Sequence, residues 1–261
     1  MNVKYILGFL ISFPLLPLLY IQGKKIKASV PRLPEATGNH GLNSVSSQRT
    51  LRIITIGEST IAGVGVNTHK EGFTGTLATE LARKLNLDIK WKVYAKSGYT
   101  AKRIQEKIIN GIPEKPVDFI VIGIGGNDAF ELSSPKKWNN DVRALIKSIR
   151  RKFETVPILF INMPPIKEFP AFTALIKFTI GSLVDILGKE LETIVKDFEQ
   201  VYYYSRVVRS SYYIERYNLK ISPADFFSDG VHPSKITYQI WAKDVSNFIL
   251  QSTEIKKDLL L

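Results

Sequence analysis

From Leu51 onward the chain alternates between short apolar runs and longer amphipathic stretches. Leu51-Arg52-Ile53-Ile54-Thr55-Ile56 is a β-branched run that stops at Gly57, and from Phe73 the apolar side chains return at Leu77, Leu81 and Leu85, about one helical turn apart. This predicts strand, loop, helix. Ile89 to Ala95 is a second strand, Ala101 to Ile109 a short helix, and Val117 to Ile124 a near-continuous apolar run of the kind a strand buried on both faces requires. Trp138, Val142, Leu145, Ile149 and Phe153 form a helical stripe before the strand Pro157 to Ile161, and Ile236, Ile240, Val245, Phe248 and Ile249 line one face of a closing helix. Strands alternating with helices of this length imply an α/β fold with a parallel sheet covered on both faces, and in such folds ligands bind at the carboxyl ends of the strands.

The first fifty residues follow other rules. Tyr5 to Gln22 carries no charge and is dominated by Leu, Ile and Phe; as a helix it spans about 27 Å, just short of a bilayer core of about 30 Å. Residues 1–23 are therefore expected to be an apolar anchor, weakened by Pro14 and Pro17. A secretory signal has the same start, yet Gly23-Lys24-Lys25-Ile26-Lys27 follows with no small-x-small cleavage site, which favours an uncleaved segment. Lys24, Lys25, Lys27 and Arg32 outnumber Lys4 and the terminal amine, so the positive-inside tendency leans toward a cytoplasmic domain. So short a tail leaves the other side of the membrane open. Residues 24–50, with Pro31, Pro34, Gly38, Gly41 and several serines, read as a linker.

Composition narrows the chemistry. At 261 residues and 44% apolar content the chain can bury one full catalytic core. It has no cysteine, which excludes disulfides, thiolate zinc sites and a cysteine nucleophile, and His40, His69 and His232 are too scattered to suggest a metal cluster. No metal or cofactor is expected. The net charge is +12; the first fifty residues hold six basic and one acidic side chain, leaving +7 for the rest. That suits anionic head groups or an acidic partner, although scattered lysines explain it equally well. No aromatic-basic RNA signature, zinc knuckle or helix-turn-helix pattern is present, so no nucleic-acid partner is expected.

The strand ends carry the candidate chemistry. The first ends in Gly57-Glu58-Ser59-Thr60, the second in Lys96-Ser97-Gly98-Tyr99-Thr100, the third in Gly125-Gly126-Asn127-Asp128, and Asp229-Gly230-Val231-His232-Pro233 precedes the closing helix. A carboxylate three residues before a histidine can hold the imidazole in one tautomer and stabilise the imidazolium, as a general base on serine needs. Gly230 would permit the turn between them. Ser59, at the amino end of the next helix, could be the nucleophile; the N–H groups of Ser59 and Gly98 and the Asn127 amide could receive an oxyanion. Taken singly, each has a plain alternative: a helix cap, a turn, a loop after a strand.

Together the four blocks, I-G-E-S-T, S-G-Y-T, G-G-N-D and D-G-V-H-P in this order, resemble the SGNH (GDSL-type) hydrolase superfamily over residues 51–252, leaving 253–261 as a tail. The resemblance implies a flavodoxin-like three-layer α/β/α sandwich with a parallel sheet of about five strands. It implies Ser59 as nucleophile, His232 as general base and acid, Asp229 as its orienting partner, and Ser59, Gly98 and Asn127 as the oxyanion hole. The implied activity is ester hydrolysis through an acyl-enzyme on a lipid, lysophospholipid or other acylated small molecule. A sugar deacetylase and a non-catalytic lipid- or polysaccharide-binding relative are the alternatives. Glu58 departs from the family, which usually has Asp there, and is expected to support the nucleophile loop with an extra methylene to accommodate.

Substrate choice must come from elsewhere. The apolar stretch from Phe169 through Phe178, Ile180, Leu183 and Leu187 is either a wall or lid for an acyl chain or a helix packed on the sheet. Tyr202, Tyr203, Tyr204, Tyr212 and Tyr213 could line a sugar site, or pack as an ordinary strand and its neighbours.

Overall fold

The computed structural model describes residues 3–114, 116–207 and 209–260. Of the expected anchor and tail, Met1, Asn2 and Leu261 and the side chains of Val3, Lys4, Phe9, Ile11 and Leu260 lie outside the described residues.

The apolar runs become strands because each has side chains to bury on two faces. β2 (Thr50–Gly57), β3 (Asp88–Ala95), β4 (Phe119–Gly123), β5 (Ile158–Phe160) and β6 (Val201–Tyr203) are parallel, and β1 (His40–Asn43) runs antiparallel on the edge. Among the described residues they form one six-stranded sheet in the order β1-β3-β2-β4-β5-β6. Alternation along the strands divides the core. Ile54, Ile56, Ile120, Ile122, Ile158 and Phe160 meet α4 (Ala101–Lys107), α6 (Pro135–Arg150) and α7 (Ala174–Val195). The intervening residues Leu51, Ile53, Phe119, Val121 and Leu159 meet α3 (Phe73–Leu85) and α9 (Lys235–Gln251). The result is the expected three-layer sandwich.

The sheet gains one strand over the expected five because residues 40–43 are not free linker. His40–Asn43 lacks apolar alternation, and what holds it is Trp91 on β3. The indole lies so close over Gly41 that a Cβ there would meet the ring at 2.5 Å, and its Nε1 donates to Asn43 Oδ1 at 2.8 Å. Residues 253–261, expected as a tail, carry α10 (Thr253–Leu260), whose Ile255 and Leu259 are buried in the same layer as α9.

At the other end, α1 (Val3–Ser12), a 3-10 turn (Phe13–Leu15) and α2 (Leu16–Ser29) make one long helical segment. Pro14 and Pro17 sit in first turns, where a missing N–H breaks no hydrogen bond. The helix therefore runs past Gln22 to Ser29, and Tyr5–Ser29 is long and apolar enough to cross a membrane, a description that a signal sequence also fits. It touches α7, with Tyr5, Leu19 and Ile26 against the core and Thr173 Oγ1 donating to Gln22 Oε1 at 2.6 Å.

Candidate active site

The chain leaves β2 toward β3 on one side and returns to β4 on the other. The ends of β2 and β4 thus form the switch point where an open α/β sheet leaves a crevice. Gly57 and Gly123 sit side by side there, and the reason for Gly57 is space: a Cβ would lie 2.3 Å from the Gly123 carbonyl oxygen and 2.5 Å from Ile61. Ser59 follows at once. Contrary to expectation it does not open a helix, because α3 begins only at Phe73. Ser59 instead begins a tight turn, in which Ala62 N–H donates to the Glu58 carbonyl at 2.8 Å and Val64 N–H to the Ser59 carbonyl at 3.1 Å.

Asp229 and His232 are joined as their spacing suggests. Gly230 adopts φ +86°, and the turn folds the histidine back over the carboxylate. Asp229 Oδ1 accepts the backbone N–H groups of Val231 (2.9 Å) and His232 (2.7 Å), while Oδ2 lies 2.7 Å from His232 Nδ1. Burial opposes the charge on Asp229, but the bonds from the His232 side chain and backbone outweigh it and hold the carboxyl below its usual range. With Nδ1 engaged, Nε2 is the ring nitrogen left for chemistry. The two loops are stitched together: Ser228 Oγ lies 3.0 Å from both the Gly65 and Pro233 carbonyls, and Tyr238 on α9 donates to the Val64 carbonyl at 2.8 Å. Glu58 and Thr60, on either side of Ser59, and Val231 and Pro233, on either side of His232, line one cavity.

Gly98 turns with φ +81°, and space is open where its Cβ would be. Asn127 lies at the start of α5 (Gly126–Phe130) after β4, but its amide is already engaged. Nδ2 donates to Glu58 Oε2 at 2.5 Å and to the Tyr99 carbonyl at 3.2 Å. Glu58 also accepts the N–H groups of Gly126 (2.8 Å) and Asn127 (2.9 Å). The longer side chain that departs from the family thus clamps the G-G-N-D turn from beneath Ser59. It is only 4% exposed, and burial pushes its carboxyl up to about 7 against the three hydrogen bonds that lower it. Asp128, fully buried, accepts the Ala101 N–H at 3.0 Å and so fixes the start of α4 behind Gly98; burial raises its carboxyl to about 6.

Residues outside the four blocks also hold the site. Glu35, in the expected linker, accepts the Ser97 N–H at 2.7 Å and Lys96 Nζ at 3.0 Å, next to Gly98. Ala36 and Thr37 bond the turn after Ser59, with Ala36 N–H donating to the Ala62 carbonyl at 2.9 Å. Nothing in local spacing marks these residues, since each acts across a long loop. Three of the five tyrosines are engaged internally, Tyr202 donating to Asp258 and Tyr204 and Tyr213 to the buried Asp244, which Arg206 and Arg216 also approach; Tyr203 lines a cavity and Tyr212 is exposed.

The chain from residue 55 to 240 matches the model of the GDSL-like lipase/acylhydrolase family. A search of curated proteins finds no match. Among solved structures, a family 3 carbohydrate esterase of Clostridium thermocellum is 19% identical, with 77% of this chain and 96% of that one covered at a TM-score of 0.56. A psychrotrophic esterase from Pseudoalteromonas sp. is 18% identical (80% and 99% covered, TM-score 0.53), and a member of the lipolytic G-D-S-L family from Veillonella parvula is 13% identical (77% and 100%, 0.57). At such identities these neighbours speak for the fold. The family match spans more than half of the chain and takes in all four blocks, so this protein belongs to the GDSL-like lipase/acylhydrolase family and hydrolyses ester bonds.

Proposed function

We propose that the protein is a serine esterase in which Ser59 attacks the carbonyl of a carboxylic ester, His232 takes and returns the proton, and Asp229 orients the imidazole. The observation that supports this most directly is the Asp229–His232 pair: one carboxylate oxygen takes the imidazole, the other takes the backbone N–H of the same residue, and Nε2 is left as the base. Attack by Ser59 Oγ forms the tetrahedral intermediate as its proton passes to Nε2. Collapse expels the alcohol with that proton and leaves an acyl-enzyme, which water activated by His232 then hydrolyses. The N–H groups of Ser59 and Gly98 receive the oxyanion. Asn127 joins them by shifting one amide hydrogen from Glu58, whose carboxyl gains a proton near neutrality and then needs that bond less.

Labelling with a fluorophosphonate, beside hydrolysis of p-nitrophenyl acetate, tests the assignment. Wild type should label and hydrolyse, Ser59→Ala should do neither, and His232→Ala should lose at least about 10³-fold in kcat/KM. Label retained in Ser59→Ala would overturn the nucleophile; a wild type that neither labels nor hydrolyses would favour a binding protein on the same fold.

A further inference from the structure

An apolar groove leads away from the catalytic loops, and both loops contribute to it. Val231, next to His232, lines the cavity at the strand ends and also the groove. Phe130, three residues after Asn127, lines it as well and meets Phe172 edge-on at 5.6 Å. The segment leading into α7 is fastened to the histidine loop, since Ala171 N–H donates to the Gly230 carbonyl at 3.1 Å and Phe169 packs on Phe227. From there the groove runs between α7 and the N-terminal helix, past Ile176, Ile180, Leu19 and Leu16, and a second apolar groove that shares Leu16, Leu19, Leu132 and Ile180 extends it to Tyr5. Leu132 is held at φ +53°, a conformation leucine seldom adopts, and is half exposed in this groove. The far wall is thus the N-terminal helix itself.

We propose that this groove receives the acyl chain of a bilayer-resident ester, with the N-terminal helix as one wall, so that the chain passes from the membrane to Ser59 without crossing water. The inference rests on the serine-esterase reading above and extends it to the substrate. Two observations favour an acyl chain as occupant. The lining is mostly aliphatic and aromatic, with Lys27 at one end and Ser12, Thr179 and Ser182 as its other polar members, which suits hydrocarbon better than a sugar. The outer surface beside it is apolar too: Leu7, Leu10, Phe13, Leu18, Ile21 and Phe178 are all exposed, with Lys24, Lys25 and Lys27 at the end of the helix where anionic head groups would lie. α7 therefore serves both of the roles its sequence allowed, with eleven buried residues and a flank that forms the other groove wall.

Gly23 lines the groove from the helix side, and a Cβ there meets no atom within 4 Å, so Gly23→Trp adds bulk at the groove wall with room at the Cβ. With the full chain in phosphatidylcholine vesicles, kcat/KM for p-nitrophenyl octanoate should exceed that for acetate by at least about a hundredfold, because each buried methylene contributes up to about fourfold. Gly23→Trp should cut that octanoate-to-acetate ratio at least about tenfold. Binding is read apart from turnover in Ser59→Ala/Phe178→Cys, whose single thiol, in a chain otherwise free of cysteine, carries an environment-sensitive dye. Dodecanoate should shift the dye saturably, and Gly23→Trp should abolish the shift. A ratio below about threefold, a ratio that Gly23→Trp leaves intact, or no saturable shift would overturn the groove. A saturable shift in a protein whose wild type hydrolyses nothing would support the groove and overturn the esterase reading.

Discussion

Replacing Glu58 with Gln tests whether the buried carboxylate that clamps the G-G-N-D turn is held at an energetic cost. Its three donors are the Gly126 and Asn127 N–H groups and the Asn127 amide. A glutamine has one oxygen and one NH₂ where the carboxylate has two oxygens, so in either orientation at least one N–H donor faces another. Against the ionised carboxylate that penalty is about 1–3 kcal/mol; below about pH 7 the wild-type carboxyl carries an O–H among the same donors and shares it. Against it stands the charge. The folded carboxyl, raised from 4.5 to about 7, holds its proton more tightly than the unfolded chain does. The stabilisation from that proton is complete below 4.5 and is lost as pH rises through 7; it amounts to about 3 kcal/mol, of which about 2.5 is lost between pH 5 and pH 8.5. Glutamine has no such term. Urea unfolding at the two pH values should find the stability of Glu58→Gln relative to wild type rising by about 2.5 kcal/mol from pH 5 to pH 8.5. Other titrating groups, Asp128 included, are common to both proteins and largely cancel. A stability difference that stays constant across this range would refute the assignment of the titration to Glu58.

Three further outcomes follow from the geometry. Asp229→Asn keeps the size of the side chain but presents an NH₂ to His232 Nδ1, favouring the wrong tautomer; kcat on p-nitrophenyl acetate should fall by about 10⁴ while KM changes little. Gly230→Ala sets a Cβ at φ +86° and 3.0 Å from Ala171 Cβ, and should lower the unfolding free energy by about 1–2 kcal/mol along with the activity. Asp244→Ala leaves the hydroxyls of Tyr204 and Tyr213 without their buried acceptor, and should cost about 3 kcal/mol in thermal unfolding, with Arg206 and Arg216 losing a partner as well.

The sequence by itself carried the strands β2 to β5, the helices α3, α4, α6 and α9, and the joining of Asp229 to His232. These depend on short-range facts: the two-residue and four-residue periods that sort side chains to a face, and a three-residue turn with glycine at its positive φ. Other features depended on contacts between distant segments, which no local pattern records. β1 exists because Trp91 covers Gly41 and bonds Asn43, and Glu35 reaches the Gly98 loop across more than sixty residues. Ser59 opens a turn and not a helix because the chain after it pairs with Ala36 and Thr37 before α3 can start. Glu58 could be read as a loop support from its place in the block, yet its grip on Asn127 arises only where the β2 and β4 ends meet at the switch point. In the same way the apolar residues of the N-terminal helix and of α7 are visible one by one along the chain, but it is the packing of one helix beside the other that leaves a groove between them, ending at the residue before His232.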